Sequence, residues 1–202
     1  LAHIYLSFDD EEVAIGNFIA DSIRSKQFVH LPDRIQKGVH LHRAIDSYTD
    51  SHTVHKQSSK RLYPVYRHYS RVITDIFYDH FLASLWDNYS DLPLSAFVSR
   101  TYDLLKRNYK VLPESIKRWF PTFLENNWMM AYTTVDGIEL VLERMAANTS
   151  LPNHASYAVE VLSNQYVRFR DDFLEFFPQI IAFLEEKYAI DITKQRIDYP
   201  AC

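Results

Sequence analysis

The stretch Ser70-Arg71-Val72-Ile73-Thr74-Asp75-Ile76-Phe77-Tyr78-Asp79-His80-Phe81-Leu82-Ala83-Ser84-Leu85-Trp86 decides the fold class of this chain. At about 100° per residue, Ile73, Phe77 and Phe81 lie on one side of a helix, and further apolar residues flank Asp75 and Asp79. A helix that is apolar nearly all round is typical of the centre of a helical protein. The stretch therefore predicts a central helix that carries two carboxylates among apolar neighbours.

Glycine is scarce, because the 202 residues include only Gly16, Gly38 and Gly137. Tight β-turns and loops that cradle phosphates need glycine, so an all-β fold, a Rossmann fingerprint and a P-loop are excluded. Hydrophobic residues make up 47% of the chain, which is enough for a sizeable core. We expect one compact all-α domain over residues 1–202, with about eight helices. They are predicted at 11–25, 32–53, 65–88, 93–110, 113–127, 134–147, 154–177 and 178–188.

The single cysteine, Cys202, is the last residue of the sequence. One cysteine excludes a disulfide within the chain and a cysteine-based zinc site, and it favours a reducing compartment. No stretch approaches the roughly 18 consecutive apolar residues that indicate a membrane span. We therefore expect a soluble, cytoplasmic protein that has no membrane partner.

Basic residues are concentrated in one part of the chain. Between residues 22 and 74 lie ten lysines and arginines but only three aspartates, although the formal net charge of the chain is -4. Such a bias is typical either of solvated helix faces or of a surface that attracts an anionic ligand or an acidic protein. Nucleic acid is not expected, because the whole protein is acidic and no recognised binding motif occurs.

Two polar stripes at helical spacing carry the candidate chemistry. They are His42, Asp46 and Asp50, and Arg71, Asp75 and Asp79. Residues four apart share one helix face, and the apolar neighbours indicate that both stripes turn inward. Unpaired buried carboxylates are costly, so either a divalent metal or Arg43 and Arg71 must neutralise them. Histidine and aspartate suit Mn²⁺, Fe²⁺, Zn²⁺ or Mg²⁺, ions that lower the pKa of a bound water and polarise a phosphoryl oxygen.

Other residues of the first half are weaker candidates. His3 lies in an apolar start of the chain and Asp21 ends the segment 16–21, and each is also typical of a core or capping residue. The remaining candidates of this kind are His40, His52, His55 and His68, which we expect at the surface or behind the site.

Four segments of the sequence carry a family resemblance. They are Leu1-Ala2-His3-Ile4-Tyr5-Leu6-Ser7, Gly16-Asn17-Phe18-Ile19-Ala20-Asp21, Gly38-Val39-His40-Leu41-His42-Arg43-Ala44-Ile45-Asp46-Ser47-Tyr48-Thr49-Asp50 and Asp75-Ile76-Phe77-Tyr78-Asp79-His80-Phe81-Leu82-Ala83. In this order they resemble the bacterial acyl carrier protein phosphodiesterase family. The resemblance implies an HD-like helical bundle, distantly similar to the HD-type metal-dependent phosphohydrolases. It also implies hydrolysis of the phosphodiester that joins 4′-phosphopantetheine to a serine of holo-acyl carrier protein.

The same resemblance implies a cofactor and site residues. The cofactor is a divalent metal, typically Mn²⁺, with Mg²⁺ and Fe²⁺ as further candidates. Its ligands are expected among Asp21, His42, Asp46, Asp75, Asp79 and His80. The family pattern also falls on Asp50, with His3 close by, and together with Arg43 and Arg71 beside the aspartate stripes these are the expected catalytic residues. One departure from the HD-type pattern is that no adjacent His-Asp pair occurs, since Asp79-His80 has the reverse order.

Roles for these residues follow from the chemistry of the reaction. Arg43 and Arg71 can stabilise the negative charge of the transition state, and His3 or His80 can move a proton to the serine oxygen. Because acyl carrier proteins are acidic, basic residues are expected to bind the partner. These residues are Arg24, Lys26, Lys37, Lys60, Arg61 and Arg67.

Two other functions fit the same residues. An enzyme with this site can act on a nucleotide or another small phosphoester instead of holo-acyl carrier protein. Assays of a panel of nucleotides with and without EDTA distinguish these two substrate classes. A non-enzymatic helical interaction module instead pairs its aspartates with Arg43 and Arg71 and binds no metal.

Overall fold

The computed structural model of the chain describes residues 1–7, 10–190 and 192, and Cys202 lies outside this part. Every regular element of the described part is helical, which confirms the predicted all-α class. The helices are α1 (Ala2–Tyr5), α2 (Glu11–Ile19), α3 (Ser25–Phe28), α4 (Asp33–Ser51), α5 (Thr53–Lys60), α6 (Tyr63–Tyr66), α7 (Ser70–Ser84), α8 (Leu94–Arg107), α9 (Glu114–Lys117), α10 (Phe120–Glu125), α11 (Trp128–Ala131), α12 (Val135–Asn148), α13 (Ala155–Asn164) and α14 (Tyr166–Tyr188). Short 3₁₀ turns occupy Ala20–Ser22, Arg67–Tyr69, Trp86–Asn88 and Tyr109–Val111. None of the described helices is long and apolar enough to cross a membrane.

Helix α7 lies at the centre of the larger hydrophobic core, as its sequence predicts. Ile73, Phe77 and Phe81 are fully buried. The rings of Phe77 and Phe81 contact Phe169 and Phe173 of α14. The apolar area buried between these two helices, together with the ring contacts, holds α7 and α14 side by side.

Helices α2 and α4 cross with their backbones in close contact. A Cβ atom on Gly16 would lie 2.0 Å from Ile35 O, and one on Gly38 would lie 2.1 Å from Val13 O. Only glycine permits this approach. The contact brings Asn17 of α2 next to α4. Helix α2 also joins two hydrophobic cores, because Val13 belongs to the larger core and other residues of α2 pack into a smaller core around α8–α11.

The segment between the second and third predicted helices differs from the prediction. Helix α4 ends at Ser51, and a separate helix, α5, follows it. The side chains that α5 buries are mostly polar, including His55, Ser58 and Ser59, so the apolar spacing that indicates a helix is absent. Helix α7 begins at Ser70 and not at residue 65, because Arg67 has a φ of 51° and interrupts the helical path.

The predicted helix over 113–127 is divided into short pieces, α9 and α10, followed by α11. Pro121 lies in the first turn of α10, where its missing N–H cannot extend a preceding helix. Asn127 has left-handed φ and ψ angles of 47° and 51°. Asparagine tolerates this conformation better than most residues, and it ends the helical run there.

The predicted boundary at Pro178 is also wrong, because α14 continues through this residue and begins after Gln165. Pro178 is exposed, so the carbonyl that loses its helical partner can bond to water. On the opposite side Phe176, Phe177 and Ile180 are buried. Packing of this apolar side keeps the helix continuous.

Candidate active site

A cavity of about 560 Å³ lies between α4 and α7, and apolar side chains of α14 complete its lining. The sequence-predicted residues that line it are His3, Asp21, His42, Asp46, Asp50, Arg71, Asp75 and Asp79. They come from α1, from the turn after α2 and from both polar stripes. Phe176, Phe177 and Ile180 form part of the apolar wall. The structure thus brings together polar residues that are far apart in the sequence and places them opposite an apolar surface.

His3 and His42 lie at one end of this cavity with their rings stacked, 4.3 Å between centroids. Asn17 Oδ1 is 2.9 Å from His3 Nδ1 and 3.0 Å from His42 Nδ1, and Asn17 O is 2.9 Å from His42 Nδ1. The Asn17 amide nitrogen donates to His3 O and to Ser7 Oγ, which fixes its orientation. This network assigns the proton of each neutral ring to Nδ1. Nε2 of each ring is then the atom available to a ligand.

Carboxylate oxygens lie close to both Nε2 atoms. His42 Nε2 is 3.1 Å from Asp21 Oδ1 and 3.2 Å from Asp46 Oδ2. His3 Nε2 is 3.4 Å from Asp46 Oδ1. Within the described part of the chain, His3, His42 and Asp46 form a cluster whose donor atoms all lie within 4.8 Å of one another.

These contacts set the charge of the cluster. Burial lowers the pKa of His42, but hydrogen bonds to Asp21 and Asp46 outweigh it and raise the pKa to about 10. The hydrogen bond from His42 lowers the pKa of Asp21. Burial and the charge on His42 lower the pKa of His3. Without a metal, a charged His42 and a neutral His3 therefore lie beside the carboxylates at neutral pH.

The cluster fits a divalent cation in place of the His42 proton. Two ligand atoms about 2.1 Å from one ion lie roughly 3–4 Å apart, which is the separation between each Nε2 and its nearest carboxylate oxygen. Metal-bound histidines commonly donate their other N–H to an oxygen, as both rings do here to Asn17. Two imidazole nitrogens and a carboxylate are a donor set for a transition-metal ion. His3, His42 and Asp46 can therefore hold a metal, with Asp21 beside them.

The opposite wall of the cavity holds a carboxylate bonded to a buried histidine. His55 Nε2 lies 2.9 Å from Asp75 Oδ1, and His55 is fully buried on α5. Burial raises the pKa of Asp75, and the hydrogen bond from His55 opposes part of this shift. Asp75 therefore protonates more readily than an ordinary aspartate, and His55 fixes the orientation of its carboxylate.

The two remaining carboxylates of the stripes have partners of their own. Asp50 Oδ1 lies 3.0 Å from the guanidinium of Arg71. Asp79 accepts from the backbone nitrogen of Ala2 at 2.8 Å. Asp79 thereby fixes the position of α1, the helix that carries His3.

The polar stripes are more exposed than predicted. The side chains of Asp46, Asp50 and Asp75 are each about half exposed, at 51%, 55% and 56%. They face an open cavity and not the packed core. Solvent therefore reduces the cost of unpaired charge that the sequence suggests, although the desolvation that remains is still enough to raise the pKa of Asp75.

Two of the predicted site residues do not line the cavity. Arg43 is exposed on α4, and its guanidinium lies 5.3 Å from the ring centre of Phe28. His80 points to another side of α7, where Nδ1 is 2.8 Å from Tyr132 O and Nε2 is 2.9 Å from Tyr166 Oη. Neighbouring helix positions point about 100° apart, so His80 cannot share the direction of Asp79. Both of its ring nitrogens bond to the protein.

The predicted partner-binding residues do not form one surface. Arg61 turns inward, where it pairs with Asp172 at 2.6 Å and lies over the ring of Phe169. Only 15% and 12% of the paired side chains are exposed, so Arg61 is not available to a partner. Lys60 and Arg67 lie beside the cavity, whereas the others, Arg24, Lys26 and Lys37, are exposed near α3 and the start of α4.

Asn17 is the residue of the site that sequence reasoning missed. It lies four residues before Asp21, the same spacing that relates His42 to Asp46, so this signal was present in the sequence. His55 was expected at the surface or behind the site, and the structure places it behind Asp75.

Comparison with known proteins identifies the family of the chain. A sequence model of the family described as acyl carrier protein phosphodiesterase matches residues 1–180, a range that includes every residue of the cavity lining. A protein of that name from Klebsiella pneumoniae subsp. pneumoniae is 29% identical over 191 residues, which cover 93% of this chain and 97% of the relative.

Two further relatives have the same name. The one from Pectobacterium atrosepticum is 28% identical over 182 residues, covering 90% of this chain and 94% of its own. The one from Escherichia coli O157:H7 is 27% identical over 191 residues, covering 93% and 97%. No solved structure matches the chain, so the HD-like architecture stays a prediction. The match over the whole cavity and the agreement of these relatives establish that the chain belongs to the acyl carrier protein phosphodiesterase family.

Proposed function

We propose that this protein is a metal-dependent phosphodiesterase that acts on holo-acyl carrier protein and releases 4′-phosphopantetheine and apo-acyl carrier protein. Family membership supports the reaction type and the substrate. The cluster of His3, His42 and Asp46 is the observation that carries the metal dependence. We place the reaction in the cytoplasm, in keeping with a chain that has one cysteine.

The proposed metal ligands are His3 Nε2, His42 Nε2 and a carboxylate oxygen of Asp46, with Asp21 as the nearest additional carboxylate. Mn²⁺ is the first candidate, and Mg²⁺ or Fe²⁺ are alternatives. When bound, the ion supplies a Lewis acid for a phosphoryl oxygen and lowers the pKa of water. His80 is left out of the ligand set, because both of its nitrogens are already hydrogen bonded.

Arg71 is the proposed binding residue for the anionic phosphodiester. Its side chain is about half exposed and lines the cavity beside Asp50. A guanidinium forms strong, charge-assisted bonds with phosphate oxygens and stabilises the charge that develops on them. Asp50 orients Arg71 before substrate binds. Arg43 lies outside the cavity, so we assign it no part in catalysis.

Asp75 is the proposed source of the proton for the serine oxygen that leaves phosphorus. Its raised pKa lets a fraction of the molecules carry this proton, and His55 holds one of its oxygens in place. His3 suits this role less, because its pKa is lowered and its Nε2 belongs to the metal cluster.

Mass spectrometry of holo-acyl carrier protein incubated with the protein and Mn²⁺ tests the proposal. We expect loss of the mass of the prosthetic group, and EDTA should prevent it. Asp46→Ala should slow the reaction by about 100-fold or more, since it removes a ligand. Asp91→Ala removes an exposed aspartate outside the cavity and should behave as the unaltered protein. Absence of conversion by stoichiometric enzyme with bound metal would contradict the proposed substrate.

A further inference from the structure

A basic groove lies next to the catalytic cavity. It has a volume of about 510 Å³, and its lining includes Lys56, Lys60, Tyr63, Arg67, His68 and Arg71. His68 and Arg71 also line the cavity, so the groove and the cavity are continuous. No aspartate or glutamate of the described residues lines the groove. We use the name basic groove for this surface.

Lys60 and Arg67 are exposed cations of the basic groove, whereas Arg71 is paired with Asp50. Lys60 is exposed and makes no ion pair with a carboxylate of the described part of the chain. The guanidinium of Arg67 lies 5.5 Å from the ring centre of Tyr63, whose side chain is 53% exposed. This contact orients Arg67 without neutralising its charge.

The backbone of Arg67 supports a functional role for the groove. Its φ and ψ angles are 51° and -123°, a conformation that residues other than glycine rarely adopt. Such strain costs free energy and persists where the surrounding structure or a function requires it. Here it ends α6 and directs an arginine into the groove.

We propose that the basic groove docks an acidic surface of the carrier protein while the cavity holds the phosphodiester. This inference rests on the proposed function. Along α4, His42 and Asp50 are eight residues apart, about 12 Å. Asp50 pairs with Arg71, which lines the groove, so the groove begins about that far from the metal cluster. A small domain is about 30 Å across. A carrier of that size whose serine reaches His3 and His42 is large enough to cover Lys60 and Arg67 as well.

The surface around α3 and the start of α4 fits an acidic partner less well. Its predicted binding residues, Lys26 and Lys37, do not line the cavity. Arg34 in the same region is paired with Asp10 and Glu12. Because Arg34 is neutralised and Arg24, Lys26 and Lys37 do not line the cavity, this surface is less well placed than the groove to hold a carrier whose phosphodiester occupies the cavity.

Binding of fluorescently labelled apo-acyl carrier protein to the full, metal-loaded protein tests docking without turnover. Lys60→Glu/Arg67→Glu should weaken binding by about tenfold or more. The matched control, Lys110→Glu/Arg168→Glu, reverses one exposed lysine and one exposed arginine outside the groove and should change binding less than about twofold. Lys26→Glu/Lys37→Glu, on the competing surface, should also have a small effect.

Kinetics with holo-acyl carrier protein provide a second readout. The groove variant should raise KM for the carrier far more than it lowers kcat. The small phosphodiester bis(p-nitrophenyl) phosphate has no acidic protein surface for the groove to bind. The ratio of kcat/KM for the carrier to that for the small substrate should therefore fall about tenfold.

The outcomes of these experiments distinguish failure of the inference from failure of the proposed function. Equal effects of the groove variant and its charge-matched control would show a general field effect, and a larger loss with Lys26→Glu/Lys37→Glu would place docking on the other surface. Binding that depends on the groove without any release of the prosthetic group would support docking and contradict the proposed function. Release that is indifferent to Lys60→Glu/Arg67→Glu would contradict docking alone.

Discussion

His3 and His42 are stacked and share one acceptor, Asn17 Oδ1, at 2.9 Å and 3.0 Å from their Nδ1 atoms. Asn17 thus orients two histidines from different helices, so that the Nε2 atoms of both rings lie beside Asp46. A pair of imidazoles held by one asparagine is a preformed site for a cation, because neither ring must reorient to bind it.

Metal binding should release a proton from His42. Hydrogen bonds to Asp21 and Asp46 raise its pKa to about 10, so it is charged at pH 7.5, whereas a metal ligand must be neutral. Affinity for Mn²⁺ should therefore rise with pH by up to about tenfold per unit between pH 7 and 9. The lowered pKa of His3 means that it is already neutral and adds no proton.

Calorimetry of Mn²⁺ binding in buffers of different ionisation enthalpy measures the protons released. We expect close to one proton per ion. His30→Gln, which changes an exposed histidine away from the cavity, should release the same number. An affinity that does not change between pH 7 and 9 would rule out displacement of a His42 proton.

Asn17→Ala should weaken Mn²⁺ binding by about 10–100-fold, because both Nδ1–H groups lose the side-chain oxygen that orients them. Thr101→Ala is a matched control, because Thr101 is also buried and hydrogen bonds to the protein, at Phe97 O, but lies outside the cavity. Each substitution should lower the free energy of unfolding by about 1–3 kcal/mol, but only Asn17→Ala should change metal affinity strongly. Equal affinity losses would show that Asn17 acts only through stability.

Gly16→Ala should separate α2 from α4 and disturb the site. The added Cβ would meet Ile35 O at 2.0 Å, and the backbone cannot yield without moving Asn17 away from His42. We expect a loss of about 3 kcal/mol in the free energy of unfolding and a weaker affinity for Mn²⁺. Urea denaturation and metal titration measure the two effects.

Gly137→Ala provides the control for this substitution. Its Cβ would meet Ala131 O at 1.9 Å, so it should destabilise the protein by a similar amount at a place outside the metal cluster. The folded fraction should still bind Mn²⁺ with unaltered affinity. Unaltered affinity of Gly16→Ala would show that the helix crossing does not position the metal ligands.

Arg61→Ala should destabilise the protein without weakening carrier binding. In the intact protein only 12% of the Asp172 side chain is exposed, and the substitution removes the arginine that pairs with it. Breaking such a pair costs about 3–5 kcal/mol. Arg170→Ala removes an exposed partner of Asp171 and should cost less than about 1 kcal/mol. Thermal unfolding measures the difference. A weaker binding of carrier by folded Arg61→Ala would restore Arg61 as a docking residue.

The fold class and the position of α7 could be predicted because apolar residues surround that helix almost completely. Helix α5 could not, since most of the residues it buries are polar and bond to neighbouring helices, as Ser59 does to Thr74 of α7. The helix boundary predicted at Pro178 is wrong because the packing of Phe176 and Phe177 outweighs the local cost of a proline inside the helix.

The candidate site could be predicted in part. Helical spacing placed His42 with Asp46 and Asp50, and Asp75 with Asp79, and these residues do line one cavity. His80 shows the limit of such reasoning, since it is next to Asp79 in the sequence but bonds to Tyr132 and Tyr166 elsewhere. Arg61 shows the same limit for the partner-binding surface.

By itself, the sequence determined that the chain is helical, that aspartates repeat every four residues on two helices, after a histidine on one and an arginine on the other, and that basic residues surround them. Only the tertiary structure decided that α1 brings His3 onto His42, that Asn17 serves both rings and that Asp75 pairs with His55. The physical reason is that spacing along a helix sets which side chains share a face. Which face meets which depends on close packing between helices, and here on two glycines that let α2 and α4 touch.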